Sequence, residues 1–407
     1  MREWQNICVV GLGYIGLPTA SILATKGHSV LGVDVNQDAV AMINEGKIHI
    51  VEPDLDILVK SAVHSGNLKA SLEPAPAHVF IIAVPTPFKE DHKPDLSYVE
   101  AATSAIIPYL AEGNMIILES TSPVGTTIGV YKQVLDSRPE LEGKLYVAHC
   151  PERVLPGQIL KELINNDRIV GGVDMQSTEK AQEFYETFVS GQVYATTASA
   201  AELIKLTENA YRDTNIAFAN ELSLICQQLD IDVWEVIELA NKHPRVNILQ
   251  PGPGVGGHCI AVDPWFIIDS APEVTRLMRI AREVNDSKPY HVINRIKERA
   301  SRLKEPIIAC LGLAFKADID DLRESPALMI VEELAGANVG RILTVEPHIE
   351  RLPYALAQLA NVELTSFSDA LQLADIIVLL VDHKAFRNVN RDVIKEKILI
   401  DTRGMWR

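Results

Sequence analysis

Cys259 closes a glycine-rich run, Gln250-Pro-Gly-Pro-Gly-Val-Gly-Gly-His-Cys259, and Asp263 follows four residues later. A cysteine in its thiolate form is the strongest ready-made nucleophile a chain can present near neutral pH. If the segment turns helical, a carboxylate four residues on shares its face and can orient a proton or a water. Gly252, Gly254, Gly256 and Gly257 leave the backbone bare, so a ligand can approach it closely. A buried structural cysteine behind a glycine-rich turn fits the same residues. Upstream, Lys205, Asn209 and Arg212 are spaced i, i+4, i+7 within 198–229, a stretch free of Pro and Gly. That stretch reads as one long helix on which the three share a face, turned either to chemistry or to solvent.

A second constellation lies near the start. The apolar run Ile7-Cys-Val-Val10 reads as a buried parallel strand, followed by Gly11-Leu-Gly-Tyr-Ile-Gly16 and a helix to about Ala24. Ser29-Val-Leu-Gly-Val-Asp34 reads as the next strand and ends in an acid 18 residues after Gly16. In this pattern the glycines permit a tight turn, a pyrophosphate sits on the helix N-terminus, and the acid takes the ribose hydroxyls. A GxGxxG alone is a weak pattern, and a chance glycine turn is its alternative. With this strand, helix and acid around it, it points to a dinucleotide, and Asp34 favours NAD over NADP by repelling the extra phosphate. Asn6 to Thr25 carries no charged side chain and is long enough to cross a bilayer, but Gly11, Gly13, Gly16 and Pro18 speak for the soluble motif.

These residues need a frame. Strands are expected at 78–84, 114–119 and 145–149, each ending in polar loops that carry Thr86, Thr121, Thr127, Glu152 and Arg153. Singly, each fits ordinary loop polarity or a helix cap. Together they share the carboxyl edge of one sheet, where ligands bind in open α/β folds. From 198 to 300 no strand pattern occurs, and helices are expected at 198–229, 233–240 and about 274–300. From Pro306 the alternation restarts, with strands at 307–312, 341–345, 376–381 and 398–401, and with Phe315 and Lys316 beyond the first. An aromatic face can stack on a base and a lysine can meet phosphate, while a core Phe beside a surface Lys is the plain alternative.

The 407 residues suggest two or three domains, and 47% hydrophobic content is enough to give each a core. A net charge of -16 excludes the basic surface a nucleic-acid partner calls for. Five scattered cysteines form neither a zinc motif nor a disulfide ladder, so no metal is expected and a reducing cytoplasm fits. No signal-peptide pattern or membrane association is indicated.

Along its whole length the sequence resembles the UDP-glucose/GDP-mannose dehydrogenases, which use NAD to oxidise the C6 alcohol of a sugar nucleotide to the acid. The resemblance is carried by Gly11–Gly16, Glu52-Pro53, Ser120–Gly125, Pro151-Glu152, Ala201–Asn209, Gly254–Asp263 and Gly312–Pro326. It implies an α/β fold of two doubly wound, Rossmann-like domains, 1–197 for NAD and 301–407 for the UDP-sugar. A helical domain at 198–300 with one long helix joins them. It also implies roles: Cys259 as nucleophile, Lys205 and Asn209 at the oxyanion, Asp263 in proton transfer, and Thr121 and Glu152 placing a water. Gly11, Gly13, Tyr14, Ile15, Gly16, Asp34, Thr86, Thr127 and Arg323 would meet NAD. Arg153, Val154, Arg212, His243, Arg245, Gly256, Phe315 and Lys316 would hold the substrate with Lys205 and Asn209.

Longer matches at Ala83–Phe88, Cys150–Gly157 and His243–Trp265 point, within the family, to a UDP-N-acetylhexosamine. N-acetyl-D-mannosamine is the first choice, with N-acetylglucosamine or N-acetylgalactosamine as alternatives, and the product would feed surface polysaccharide synthesis. Pro156 stands where UDP-glucose enzymes carry a second glutamate, which leaves the hydrolytic base open. Ile216, Phe218, Leu222 and Ile225 give the long helix more apolar surface than one thin connector covers, so a homodimer is expected. A two-electron dehydrogenase without a cysteine nucleophile and a non-catalytic nucleotide-sugar sensor are the competing functions.

Overall fold

A computed structural model describes residues 4–155, 157–257 and 259–407. The chain divides into two compact units, 1–208 and 209–407. The first is built on eight strands: β1 (Asn6–Val10), β2 (Ser29–Val33), β3 (Leu68–Ser71), β4 (Val79–Ile82), β5 (Met115–Leu118), β6 (Tyr146–His149), β7 (Arg168–Gly172) and β8 (Val193–Thr197). Their order is β3-β2-β1-β4-β5-β6-β7-β8, parallel except that β7 runs antiparallel to β6 and carries β8 with it. The strand order reverses between β1 and β4, paired in register from Ile7↔Val79 to Val10↔Ile82, and this is the switch point where such sheets bind ligands.

The strands form because both faces are covered. Val79, Phe80, Ile81 and Ile82 are all buried, with no polar face to alternate with. Successive side chains still divide between two cores. Ile7, Val9 and Ile81 join one with Leu17, Leu23 and Phe184, while Cys8, Val10, Phe80 and Ile82 join the other with Val99, Val130 and Val134. The glycine turn separates β1 from the helix Gly16–Thr25, so the uncharged run from Asn6 is two elements of a soluble unit. Among the described residues no helix is long and apolar enough to cross a membrane.

The helix Ala198–Leu229 runs as one element through the boundary between the units. Beyond it lie the helices Val233–Ala240, Asp263–Ser270 and Arg276–Ala300, joined by turns and loops, with no strand among the described residues up to 300. Five parallel strands follow in the second unit: β9 (Ile307–Leu311), β10 (Arg341–Val345), β11 (Val362–Leu364), β12 (Ile376–Leu379) and β13 (Ile398–Asp401), ordered β11-β10-β9-β12-β13. Their core includes Val292, Ile293 and Ile296 beside Ile308, Cys310 and Val378, so it begins on the helix before residue 301.

Candidate active site

At the switch point, Gly11 has φ +92°, and a Cβ there would stand 2.5 Å from the Ala83 carbonyl oxygen. A Cβ on Gly16 would overlap the carbonyl of Gly11, so both glycines are demanded by the protein itself. Gly13 differs, since a Cβ there would meet nothing within 4 Å. The helix Gly16–Thr25 has no acid in its first turn and no side-chain cap, and although the Leu17 and Thr19 N–H groups bond the Gly13 and Ile15 carbonyls, the positive end of its dipole still favours a phosphate. Asp34, just past β2, accepts the Leu12 N–H on Oδ2 at 2.8 Å and the Asn36 N–H on Oδ1 at 2.9 Å. The acid is thereby oriented at the glycine turn, with Tyr14 40% exposed and Ile15 half-buried beside it. These residues fit a bound dinucleotide.

The loops after β4 and β5 are tied together, because Thr86 Oγ1 donates to the Thr121 carbonyl at 2.6 Å. Thr127, expected on the cofactor, does not lie open at the sheet edge. It is fully buried, and its N–H and Oγ1 both donate to Glu202, at 2.7 and 2.6 Å. Glu202 also accepts the Gly125 N–H at 2.7 Å, so a carboxylate from the long helix caps the helix Thr126–Ser137. Burial raises the Glu202 carboxyl above its ordinary value, against those hydrogen bonds. Glu202 lies three residues before Lys205, so the Thr121 loop and the helix turn bearing Lys205 are set by one residue.

The loop after β6 carries Glu152, Arg153 and Val154. Glu152 is buried and ion-pairs with buried Arg168 at the start of β7. Arg153 pairs with Glu208 at 2.8 Å, and Val154 is half-buried. Glu52 fixes the far end of the loop, accepting the Gly157 and Ile159 N–H groups at 2.8 Å each. The question raised by Pro156 falls outside the described residues, as does His258.

In the second unit, Cys259 is exposed and not in a disulfide, and the other four cysteines are buried. Its carbonyl accepts the Asp263 N–H at 2.8 Å, one turn ahead of the helix Asp263–Ser270. Buried Asn209 donates to Asp263 Oδ2 at 2.6 Å. The helix of Asn209 also pins the loop leading to the cysteine, with Asn215 accepting the Leu249 N–H at 3.0 Å and Asn220 the Gly252 N–H at 2.9 Å. Asn220 is held by Asn285, Asn285 by Asp213, and Asp213 by the buried guanidinium of Arg282. None of these supporting residues was read from the sequence.

The glycines of the loop serve a different purpose from the one expected. A Cβ on Gly254 would meet Pro326 at 2.9 Å and Pro289 at 3.0 Å, and one on Gly257 would meet the Phe315 ring at 2.8 Å. A Cβ on Gly256 would collide with the Glu324 carbonyl and stand 3.0 Å from Phe315 Cβ. Protein, not ligand, makes the close approach, and it covers part of half-buried Phe315. Lys316 is exposed, as are Arg212, His243 and Arg245, while Arg323 pairs with Asp321 at 2.6 Å. Arg403, also missed in the sequence, lies over Gly252 and pairs with Asp382 at 2.8 Å. Among the described residues one group has the spacing of metal ligands: Asp318, His348 and His383. The Nδ1 of His383 accepts the Asp318 N–H at 2.9 Å and its Nε2 faces Glu346 at 3.0 Å, so neither nitrogen is left for a metal.

The chain matches the UDP-glucose/GDP-mannose dehydrogenase family in three parts: its NAD binding domain over residues 5–189, its central domain over 199–287 and its UDP binding domain over 309–407. It is 58% identical to an NDP-N-acetyl-D-galactosaminuronic acid dehydrogenase of Ralstonia nicotianae, over 99% of this chain and 97% of the relative. It is 55% identical to a UDP-N-acetyl-D-mannosamine dehydrogenase of Campylobacter jejuni, over 97% and 99%. The solved structure of the UDP-N-acetyl-mannosamine dehydrogenase of Staphylococcus aureus superposes with a TM-score of 0.87 at 43% identity, covering 98% of this chain and 95% of that one. With the dinucleotide crevice of the first unit and the cysteine turn of the second, these likenesses make the chain an NAD-dependent UDP-sugar dehydrogenase belonging to the UDP-glucose/GDP-mannose dehydrogenase family.

Proposed function

We propose that this enzyme oxidises the C6 alcohol of UDP-N-acetyl-D-mannosamine to UDP-N-acetyl-D-mannosaminuronate. The observation that carries the reading is the buried Asn209–Asp263 pair one turn from an exposed cysteine. A simple two-electron dehydrogenase needs no such nucleophile, and a sensor needs neither group. NAD, when bound, supplies the hydride acceptor, and the path from alcohol to acid uses it twice. The Cys259 thiolate attacks the C6 aldehyde left by the first oxidation, giving a thiohemiacetal whose own oxidation yields a thioester. Lys205, one turn from Asn209 on the long helix, supplies with it the charge and the amide donor that stabilise the oxyanion. Asp263 handles the proton, and Thr121 and Glu152 place the water that releases the acid.

In this reading 1–197 serves NAD through Gly11, Gly13, Tyr14, Ile15, Gly16, Asp34, Thr86 and Thr127, and Arg323 also reaches it. Residues 198–300 serve catalysis, and 301–407 hold the nucleotide through Phe315 and Lys316. Arg153, Val154, Arg212, His243, Arg245 and Gly256 grip the sugar and phosphates. The five cysteines outside any disulfide suit the cytoplasm.

The sugar is tested by NADH formation on a panel of UDP-sugars. Strong turnover of UDP-N-acetyl-D-mannosamine with little on UDP-glucose supports the reading. A second sugar, N-acetylgalactosamine, is favoured by the name of the 58% identical relative, and preferential turnover of its UDP derivative would replace the first.

The enzyme is also proposed to be a homodimer paired through the long helix. Phe218 and Ile225, seven residues apart, are 57% and 46% exposed, and Ile216 and Leu222 are half-buried beside them. Sedimentation should give a dimer that Phe218→Glu converts to monomer, whereas a monomeric parent at assay concentration refutes the pairing.

A further inference from the structure

The second unit repeats the turn geometry of the first and uses it differently. Gly312 follows β9 with φ +92°, the value of Gly11 after β1, and each donates its N–H to the neighbouring strand at 2.8 Å, to Val345 and Val33. The acid just past that neighbouring strand is Glu346, where the first unit has Asp34. Glu346 Oε2 accepts the Leu313 N–H at 2.7 Å, as Asp34 accepts the Leu12 N–H, and its Oε1 accepts the His348 N–H at 3.2 Å. Asp34 is only half-buried. Glu346 is buried, and His383 from the loop after β12 lies against it, with Nε2 3.0 Å from Oε2. A carboxylate sealed in this way cannot reach a ribose.

What the pair does hold is the loop 313–318. At the start of the loop Glu346 takes two successive amides, those of Leu313 and Ala314, at 2.7 and 3.0 Å. At its end His383 Nδ1 accepts the Asp318 N–H at 2.9 Å, and Asp318 Oδ1 accepts the Lys384 N–H at 2.9 Å. Asp318 has φ +62°, a left-handed conformation that such a residue keeps only where its surroundings impose it. Because Nδ1 is an acceptor, the ring proton sits on Nε2 and points at Glu346. Burial works to raise the Glu346 carboxyl, but His383 and the Leu313 and Ala314 amides hold it below its ordinary value, so it stays ionised. The His383 ring is itself set edge-on against buried Phe386, with 5.4 Å between centroids. Between the two tied ends stand half-buried Phe315 and exposed Lys316.

We propose that His383 and Glu346 are positioning residues for the nucleotide, clamping the loop that offers Phe315 to the base and Lys316 to a phosphate. Neither touches the ligand. Their bonds order the loop before the ligand arrives, so binding loses less freedom. The inference rests on the reading of Phe315 and Lys316 as nucleotide contacts. It also gives the Asp318, His348 and His383 group a role that needs no metal.

The test is calorimetry of the full chain with UDP, which carries the nucleotide half alone, beside steady-state kinetics with NAD and UDP-N-acetyl-D-mannosamine. His383→Ala removes the ring between Glu346 and the Asp318 amide. UDP should then bind about tenfold more weakly, the size of a lost hydrogen bond to a charged group. The KM for the UDP-sugar should rise by a similar factor, kcat should fall by less, and NAD affinity should hold. Asparagine puts an oxygen near the place of Nδ1, and glutamine an amide nitrogen near that of Nε2. His383→Asn therefore keeps the Asp318 bond and His383→Gln the Glu346 bond, and each should recover part of the UDP affinity. A lower melting temperature with UDP affinity and KM intact would overturn the proposal, as would Asn and Gln variants that bind UDP no better than His383→Ala. If His383→Ala does not fold, the Asn and Gln variants carry the test against the parent, and parental UDP affinity in both contradicts it. Lys316→Ala separates the two readings. Unchanged UDP affinity in that variant sinks the nucleotide loop itself, whereas a loss there with none in His383→Ala sinks only the clamp.

Discussion

Asn209 donates its side-chain amide to Asp263 Oδ2 across 2.6 Å, with both residues almost fully buried. The Asp263 N–H in turn bonds the Cys259 carbonyl at 2.8 Å. An amide on the long helix thus fixes the carboxylate whose backbone closes the cysteine turn. The nucleophile itself stays exposed, but the turn that bears it is anchored in a buried pair.

Asn209→Ala withdraws a donor from a buried carboxylate and frees the turn. Loss of a hydrogen bond to a buried charged group costs about 1–3 kcal/mol, so the melting temperature should fall by a few degrees. The rate should fall further than stability explains, by about 10–100-fold in kcat at little cost in KM, if the amide also meets the oxyanion. A melting shift with kcat intact would leave Asn209 a structural residue only.

Asp34 is held by two backbone amides at the mouth of the glycine turn. Asp34→Ala removes the expected ribose acceptor, so NAD should bind about tenfold or more weakly and discrimination against NADP should relax. Titration of both cofactors, read by protein fluorescence, measures this. Unchanged NAD affinity would show that the ribose contact is misassigned.

Much of this architecture is legible from local pattern. The apolar runs at β1, β4, β5, β9 and β12 are buried on both faces and read directly, and the long helix lies within the bounds its composition predicts, 198–229. β3 (LKAS), β7 (RIVGG), β8 (VYATT) and β11 (VEL) carry no comparable run, and pairing to a neighbour makes them strands. The chemistry divides in the same way. Gly11–Gly16, Asp34 and Cys259–Asp263 are close in sequence and readable. Glu202 meets Thr127 75 residues away and Glu52 meets Gly157 105 residues away, and no local spacing announces such pairs. The partner of Thr127 is invisible to local spacing, and at the loop glycines the neighbours are Phe315, Pro289 and Pro326 rather than open space.

Glu119 makes a pH prediction with a definite sign. Its carboxyl, raised by burial and then by the charge of Glu152, lies at about 8 in the folded chain against an ordinary 4.5, so between those values the native state binds more protons than the unfolded state. The group's contribution is present in full below about 4.5 and is lost as pH rises to about 8. Glu119→Gln mimics the protonated acid and cannot ionise. The melting temperature of the variant relative to the parent should therefore climb from pH 5 to pH 8 and level off above. A difference independent of pH would mean that Glu119 is ionised in the folded protein.

The central claim is that Cys259 carries one substrate through two oxidations. The count of NADH formed per UDP-N-acetyl-D-mannosamine consumed, with the product identified by mass, tests it most directly. Two equivalents and a uronic acid are predicted for the parent enzyme, and Cys259→Ser should lose steady-state turnover because a serine alkoxide is scarcely populated at neutral pH. One equivalent with an aldehyde or ketone as final product, or full acid production by Cys259→Ser at the parental rate, would contradict the account.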